Sequence, residues 1–311
     1  MRTKIHLYAI LLIALAAATA QAQKQGTGKA VLWEPVDAST LDLYAGPGGE
    51  AMRPNLSRIQ FIEEETGGHN KKYRVKDGSG RTWVVKLGIE AKPETAAVRL
   101  LYGLGYKTEI NYFVPKVTIP GKGTFEDVRF EARPDNVKRL EEWKWKANPF
   151  VGTKELQGLK MMMVFMNNWD VLDLQNKVLQ VGDQQHYIVS DLGRTFGRLG
   201  NNNFPLIYRM GRRTGSPGHY TETDFIDKVD EGEVKLAYKG KNRGLFDEGF
   251  TVEDAAWLAD RFQSLSDKQI ADAFRAANYS PEEIDVFVEA VRRRINELES
   301  AAASGNLATG K

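Results

Sequence analysis

Residues 81–104 read RTWVVKLGIEAKPETAAVRLLYGL, and this stretch decides the fold. Its first part, Arg81–Leu87, is rich in strand-forming residues and carries Lys86 on the same face as Val84. Upstream, Lys71–Asp77 (KKYRVKD) alternates, with Tyr73 and Val75 on one face. Gly78-Ser79-Gly80 separates the two runs, which predicts a hairpin. Downstream, Pro93 stands where a first helical turn favours proline. Ala97, Leu100, Leu101 and Leu104 recur at helical spacing until Gly105 stops the helix. Glu94 falls in the first turn, in line with Ala97 and Leu101. A strand lysine facing a helix glutamate is a pair able to clamp nucleotide phosphates. Glu90 is an alternative partner for Lys86.

Working outward, Ser57–Glu64 reads as a first strand, Gly67-Gly68 as a break, and Tyr112–Ile119 as a further strand. Arg133–Pro149 is charged and contains tryptophan, and reads as a connector between two lobes. Glu155–Met166 is predicted helical, with Leu156, Leu159, Met163 and Met166 on one stripe. The Met161–Met163 run reads as core filling. A polar segment, Asn167–Asn176, follows, then two short strands, Lys177–Gln180 and His186–Ser190, around a Gly182-Asp183 turn. Asp191-Leu192-Gly193 comes directly after the second strand. Residues 197–245 read as a long Gly-, Asn- and Arg-rich loop with one hairpin. The end is helical, with capping-box signals at Thr251/Asp254, Ser266/Gln269 and Ser280/Glu283. The resulting organisation is an irregular lead-in at 23–56, a small β-rich lobe with one key helix at 57–150, a larger mainly helical lobe at 151–299, and a flexible tail at 300–311.

Strand Lys86, helix Glu94, the NNWDVLDLQNKVL loop at 167–179 and YIVSDLGRTFG at 187–197 occur in an informative order. One Asp to orient a hydroxyl, with an Asn and a second Asp to hold a divalent metal, is a minimal set for phosphoryl transfer. Together these stretches resemble the protein-kinase-like superfamily, and among its atypical members the HipA-type kinases, the spore-coat CotH-type kinases and the phosphatidylinositol 4-kinases. The resemblance covers roughly Arg58–Gly197 and implies an α+β, two-lobed kinase-like fold. It further implies that Lys86 meets the α/β-phosphates of ATP or another nucleotide, with Glu94 positioning that lysine. Gly67, Gly68 and Val84 would complete the nucleotide site, Asp170 would be catalytic, and Asn176 and Asp191 would hold Mg²⁺ or Mn²⁺. Three departures stand out. The interval from Asp170 to Asn176 is one residue longer than in the standard kinase loop, where Gln175 takes the expected place. Asn168 and Trp169 replace the His-Arg pair, and Gly67-Gly68-His69 is a sparse stand-in for a glycine-rich phosphate loop.

The chain begins with Arg2, Lys4, an apolar run from Leu7 to Ala18 and an Ala20-Gln21-Ala22 site. This is the pattern of a cleavable secretory signal over residues 1–22, with Ala18-Thr19-Ala20 as a second possible cut. The run is shorter than the roughly 20 residues that span a bilayer, so the mature chain is expected to be periplasmic or secreted, without a membrane span. Without Arg2 and Lys4 the chain has 41 basic and 41 acidic residues, which disfavours a nucleic-acid-binding role. Cysteine is absent, so an exported chain must rely on its core, for which 42% hydrophobic residues suffice. His69, His186 and His219 lie too far apart for a zinc-type motif. Hydrolase motifs are missing too. Two readings remain: an exported phosphotransferase acting on a protein or small-molecule hydroxyl, and a catalytically inactive kinase-like module that binds a ligand or protein. Arg194, Arg198, Arg209, Arg212 and Arg213 crowd the segment after Asp191, where an acidic substrate would approach.

Overall fold

The computed structural model describes residues 28–67, 70–199, 213–247 and 249–308. The leader at 1–22, Gly68, Arg209 and Arg212 lie outside the described residues.

In chain order the elements begin with β1 (Lys29–Val31), β2 (Gln60–Glu65), β3 (Lys72–Lys76), β4 (Thr82–Lys86) and α1 (Ala91–Gly103). They continue with β5 (Asn111–Ile119), β6 (Gly123–Ala132), β7 (Val137–Arg139), α2 (Lys154–Phe165), β8 (Asn176–Val181) and β9 (Gln184–Val189). The last third holds α3 (Pro217–Thr221), β10 (Ile226–Asp230), β11 (Glu233–Leu236), β12 (Phe250–Thr251), α4 (Val252–Gln263), α5 (Asp267–Arg275) and α6 (Pro281–Ala308). None of the described helices is long and apolar enough to cross a membrane.

The first lobe is a five-stranded sheet in the order β2-β3-β4-β6-β5, every pairing antiparallel. Alternation along β4 builds its two faces. Trp83 and Val85 enter a core with Tyr73, Val75, Tyr112 and Phe130, while Val84 and Lys86 project to the opposite side. The expected hairpin forms, with Lys72 opposite Lys86. β6 is a strand that the sequence reading does not contain. It places β4 in the middle of the sheet and sets Arg129 directly opposite Lys86.

The second lobe wraps four long helices and two small sheets around one large core. α2 is almost wholly buried, and Met161, Met162 and Met163 are fully inside, as the core reading expects. Thr153 caps α2 through its hydroxyl, 3.2 Å from the Leu156 amide. Capping boxes form at Thr251/Asp254 and Ser266/Gln269, and Ser280 and Glu283 exchange the same pair of bonds. At the other end of α2, buried Arg294 reaches from α6 to donate to the carbonyls of Val164 (3.2 Å) and Phe165 (2.6 Å). Those are end-of-helix acceptors that need a donor when water is excluded. Gly158 lets α4 approach, because a Cβ there would lie 2.5 Å from the Trp257 ring and 2.7 Å from the Tyr106 hydroxyl.

Two boundaries differ from the sequence reading. The lead-in contributes β1, which runs parallel to β9 in a sheet ordered β1-β9-β8-β7. The segment read as a connector contributes β7 to that same sheet. Both are three-residue strands, too short to show a period. At the other end, α6 continues past Ser300, where the flexible tail was expected to begin, to Ala308, and Ala301 is buried.

Candidate active site

The site grows from β4 and the first turn of α1. Lys86 ends β4 with 5% of its side chain exposed, and its ammonium meets three carboxylates. Glu94 Oε2 lies at 3.2 Å, Glu90 Oε2 at 2.9 Å and Asp191 Oδ1 at 2.9 Å. Glu90 and Glu94 are four residues apart, so both fall on one face of the helix start. The two alternatives for the lysine's partner are therefore both realised. Burial pulls the Lys86 ammonium down, but Glu94, Asp191 and Glu90 outweigh it and hold it above its ordinary value. Burial would raise Asp191, yet Lys86 keeps its carboxyl below the usual range.

Glu94 is fully buried and has a second cation, with Arg129 Nη1 at 2.7 Å from its Oε1. Burial pushes the Glu94 carboxyl up, against the pull of Arg129 and Lys86. Unpaired, either charge would be costly at this depth; paired on both oxygens, the carboxylate is fixed in place. Arg129 was missed because β6 was missed. Its signal was present in Val128-Arg129-Phe130-Glu131, which alternates after the Pro120-Gly121 turn. Asp127, at φ 49°, interrupts the pattern just before it.

Asp191 follows β9 with 42% of its side chain exposed, so its carboxylate opens to solvent while Lys86 stays inside. The segment after it is tied to α1. Arg194 Nε lies 2.5 Å from Glu90 Oε1, and a Cβ on Gly193 would meet the Glu90 side chain at 2.5 Å. Arg198 pairs with Glu222 at 2.9 Å. These two arginines of the cluster are thus engaged within the chain, while both remain partly exposed.

Asp170 sits on a loop pinned against that same segment. Phe196 N donates to Met166 O (2.8 Å), Trp169 N to Arg194 O (3.3 Å) and Asn167 Nδ2 to Gly197 O (2.5 Å). Asn167 takes φ 49° to turn the chain out of α2. Buried Asn168 accepts from the Asp170 amide at 3.0 Å and so shapes the loop. Lys241, unforeseen from sequence, places its Nζ 2.5 Å from Asp170 Oδ1, while its own amide donates to Trp169 O at 2.8 Å.

The longer Asp170–Asn176 interval is absorbed by a 3-10 turn over Asp173–Gln175. Gln175 spends its side-chain oxygen on the Leu172 amide at 3.1 Å. Asn176 is completely buried; its Nδ2 donates to Trp143 O at 3.0 Å, and its Oδ1 has no hydrogen-bond partner. Asn176 faces Val189 across the β8–β9 hairpin, and Asp191 follows two residues after that strand ends. Val84 is buried on the Lys86 face. Gly67 lies at the β2–β3 turn, where a Cβ would meet nothing within 4 Å. Among the described residues no cluster of three or more His, Asp or Glu side chains forms a ready metal site.

The chain is similar in structure to the proinflammatory kinase CtkA of Helicobacter pylori, with a TM-score of 0.51 over 81% of this chain and 97% of that one, at 10% sequence identity. No protein-family model and no curated protein sequence matches it significantly. With the two lobes described above, this likeness makes the fold protein-kinase-like.

Proposed function

We propose that the protein is an exported phosphotransferase that moves a phosphoryl group from ATP or another nucleotide to a hydroxyl on a protein or small molecule. One observation carries this reading: Lys86 and Asp191, 105 residues apart in sequence, meet at 2.9 Å with Glu94 at 3.2 Å from the same ammonium. A charged lysine fixed by a helix glutamate beside a solvent-open aspartate is an arrangement for holding phosphate oxygens. In the transfer, a bond forms between the acceptor oxygen and the terminal phosphorus as the bridging phosphorus–oxygen bond breaks. The electron pair stays with the departing nucleotide phosphate, and the hydroxyl proton passes to Asp170. A bound Mg²⁺ or Mn²⁺ would supply charge neutralisation at the phosphates. Asp191 and Asn176 are the residues to hold it, and the unpartnered buried Asn176 oxygen fits that use. The atypical resemblance to CotH- and HipA-type kinases belongs to this same proposal.

One feature favours a second reading, an inactive binding module. Lys86 is already met by three carboxylates, and Asp170 by Lys241. A thermal-shift panel on residues 23–311 separates the two. Mg²⁺- or Mn²⁺-dependent stabilisation by ATP of about 4–8 °C at a hundredfold excess over Kd is expected. Absence of any metal-dependent shift across the nucleotide panel overturns phosphotransfer, and a shift without turnover of a hydroxyl acceptor favours the module.

Export rests on the residue 1–22 pattern alone. Mass spectrometry of the native protein is expected to find an N-terminus at Gln23, or at Gln21 from the alternative cut. A cytoplasmic product retaining Met1 would defeat it.

A further inference from the structure

A cavity of about 340 Å³ lies behind the lysine–glutamate pair, between the α1–β5 turn, the end of β6, β7 and the β8–β9 hairpin. That volume is in the range of small-molecule sites. Val36, Ile110, Val137 and Leu179 give it an apolar wall. Glu109 and Glu131 form its floor, with 3% and 5% of their side chains exposed, and Arg139 and Arg133 stand above them with 29% and 20% exposed. The two arginines are thus more open to the cavity than Glu109 and Glu131, and the third carboxylate of the lining, Glu34, is held by Lys107. Thr108 also contributes to the lining.

We propose that this cavity binds a small molecule with an apolar body and a carboxylate head, and that Arg129 relays its occupancy to Lys86. The relay is one side chain long. Arg129 Nη2 lies 2.8 Å from Glu131, and Nη1 lies 3.4 Å from Glu109 and 2.7 Å from Glu94. Arg139 shares Glu131 at 2.8 Å and also pairs with Glu109. Burial and the neighbouring Glu131 push the Glu109 carboxyl up, against the pull of Arg139, Arg129 and Arg133. A ligand carboxylate that draws these two arginines outward leaves Arg129 as the cation for Glu131 and Glu109. Arg129 then loosens from Glu94, and Glu94 tightens on Lys86. The relay half rests on the nucleotide reading above; the binding half does not.

The test uses the full mature protein and three probes of one shape: 3-phenylpropanoate, its amide, and 3-phenylpropylamine. Calorimetric titration is expected to show the acid binding at least about tenfold tighter than the amide, as for a charge-assisted contact. Val36→Trp and, independently, Val181→Trp add bulk at lining residues that belong to no ion pair, and each should abolish binding. Arg139→Gln should erase the preference for the acid. No binding by any probe, a preference for the amine, or acid binding unmoved by both tryptophans overturns the cavity assignment. With the acid bound, Mg²⁺–ATP affinity should change about fivefold, a modest coupling, and Arg139→Gln should remove the change. Acid binding with an unmoved nucleotide affinity overturns the relay alone. A protein that binds the acid and no nucleotide overturns the relay and the phosphotransferase reading together, while upholding the cavity.

Discussion

Asp191→Ala is expected to lower metal-dependent nucleotide affinity by on the order of 100-fold or more, the effect of removing an anionic ligand from a bridging cation. Ligand-free stability should hardly move. The Asp191 side chain is 42% exposed, and Lys86 keeps Glu90 at 2.9 Å and Glu94 at 3.2 Å after its loss. A partly exposed ion pair of this kind contributes about 0–1 kcal/mol, or a few degrees at most. The two readouts therefore separate a metal ligand from a structural residue. A variant that binds Mg²⁺–ATP like the parent removes Asp191 from the site. A variant that melts well below the parent without nucleotide assigns it to the fold instead. Nucleotide binding in EDTA serves as the internal comparison, because Lys86 remains to meet phosphate oxygens and that weaker, metal-free binding should survive.

The parts of this site that were legible in the sequence are those written by local periodicity. Lys86 and Glu94 could be placed because a strand of period two and a helix of period 3.6 each fix which residues share a face. The choice between Glu90 and Glu94 could not be made, since residues four apart share a helix face, and the structure uses both. Arg129 and Lys241 are different in kind. Arg129 gains its place only when β6 inserts beside β4, a pairing across more than forty residues that composition does not announce. Lys241 is an ordinary loop cation until its backbone hooks onto Trp169. β1 was invisible for a related reason: three residues gain their meaning from a parallel partner at Gln184–His186, far along the chain. Local sequence thus specified the β3–β4 hairpin and α1, while long-range pairing specified β1, β6 and how the ions meet.

Asp170→Asn is the variant that asks whether those ions perform chemistry. In a parent that turns over, it is expected to lower turnover by about 10²- to 10⁴-fold, the range for loss of a positioned general base. Mg²⁺–ATP affinity should stay within about threefold, because the role proposed for Asp170 addresses the acceptor hydroxyl and not the nucleotide. The substitution is suited to its purpose. Asparagine keeps the size and an acceptor oxygen for Lys241 Nζ, now 2.5 Å from Asp170 Oδ1, and leaves the Asn168-to-amide bond that shapes the loop at 3.0 Å. What it removes is the capacity to take a proton. Lys241 bears on the same point: half of its side chain is exposed, so under the proposed reaction it would be the group to release Asp170 as the substrate arrives. Turnover at the parental rate in the asparagine variant would end the base assignment. Loss of nucleotide affinity with a lowered melting temperature would instead make Asp170 a strut for the loop, held by Lys241 for that purpose alone.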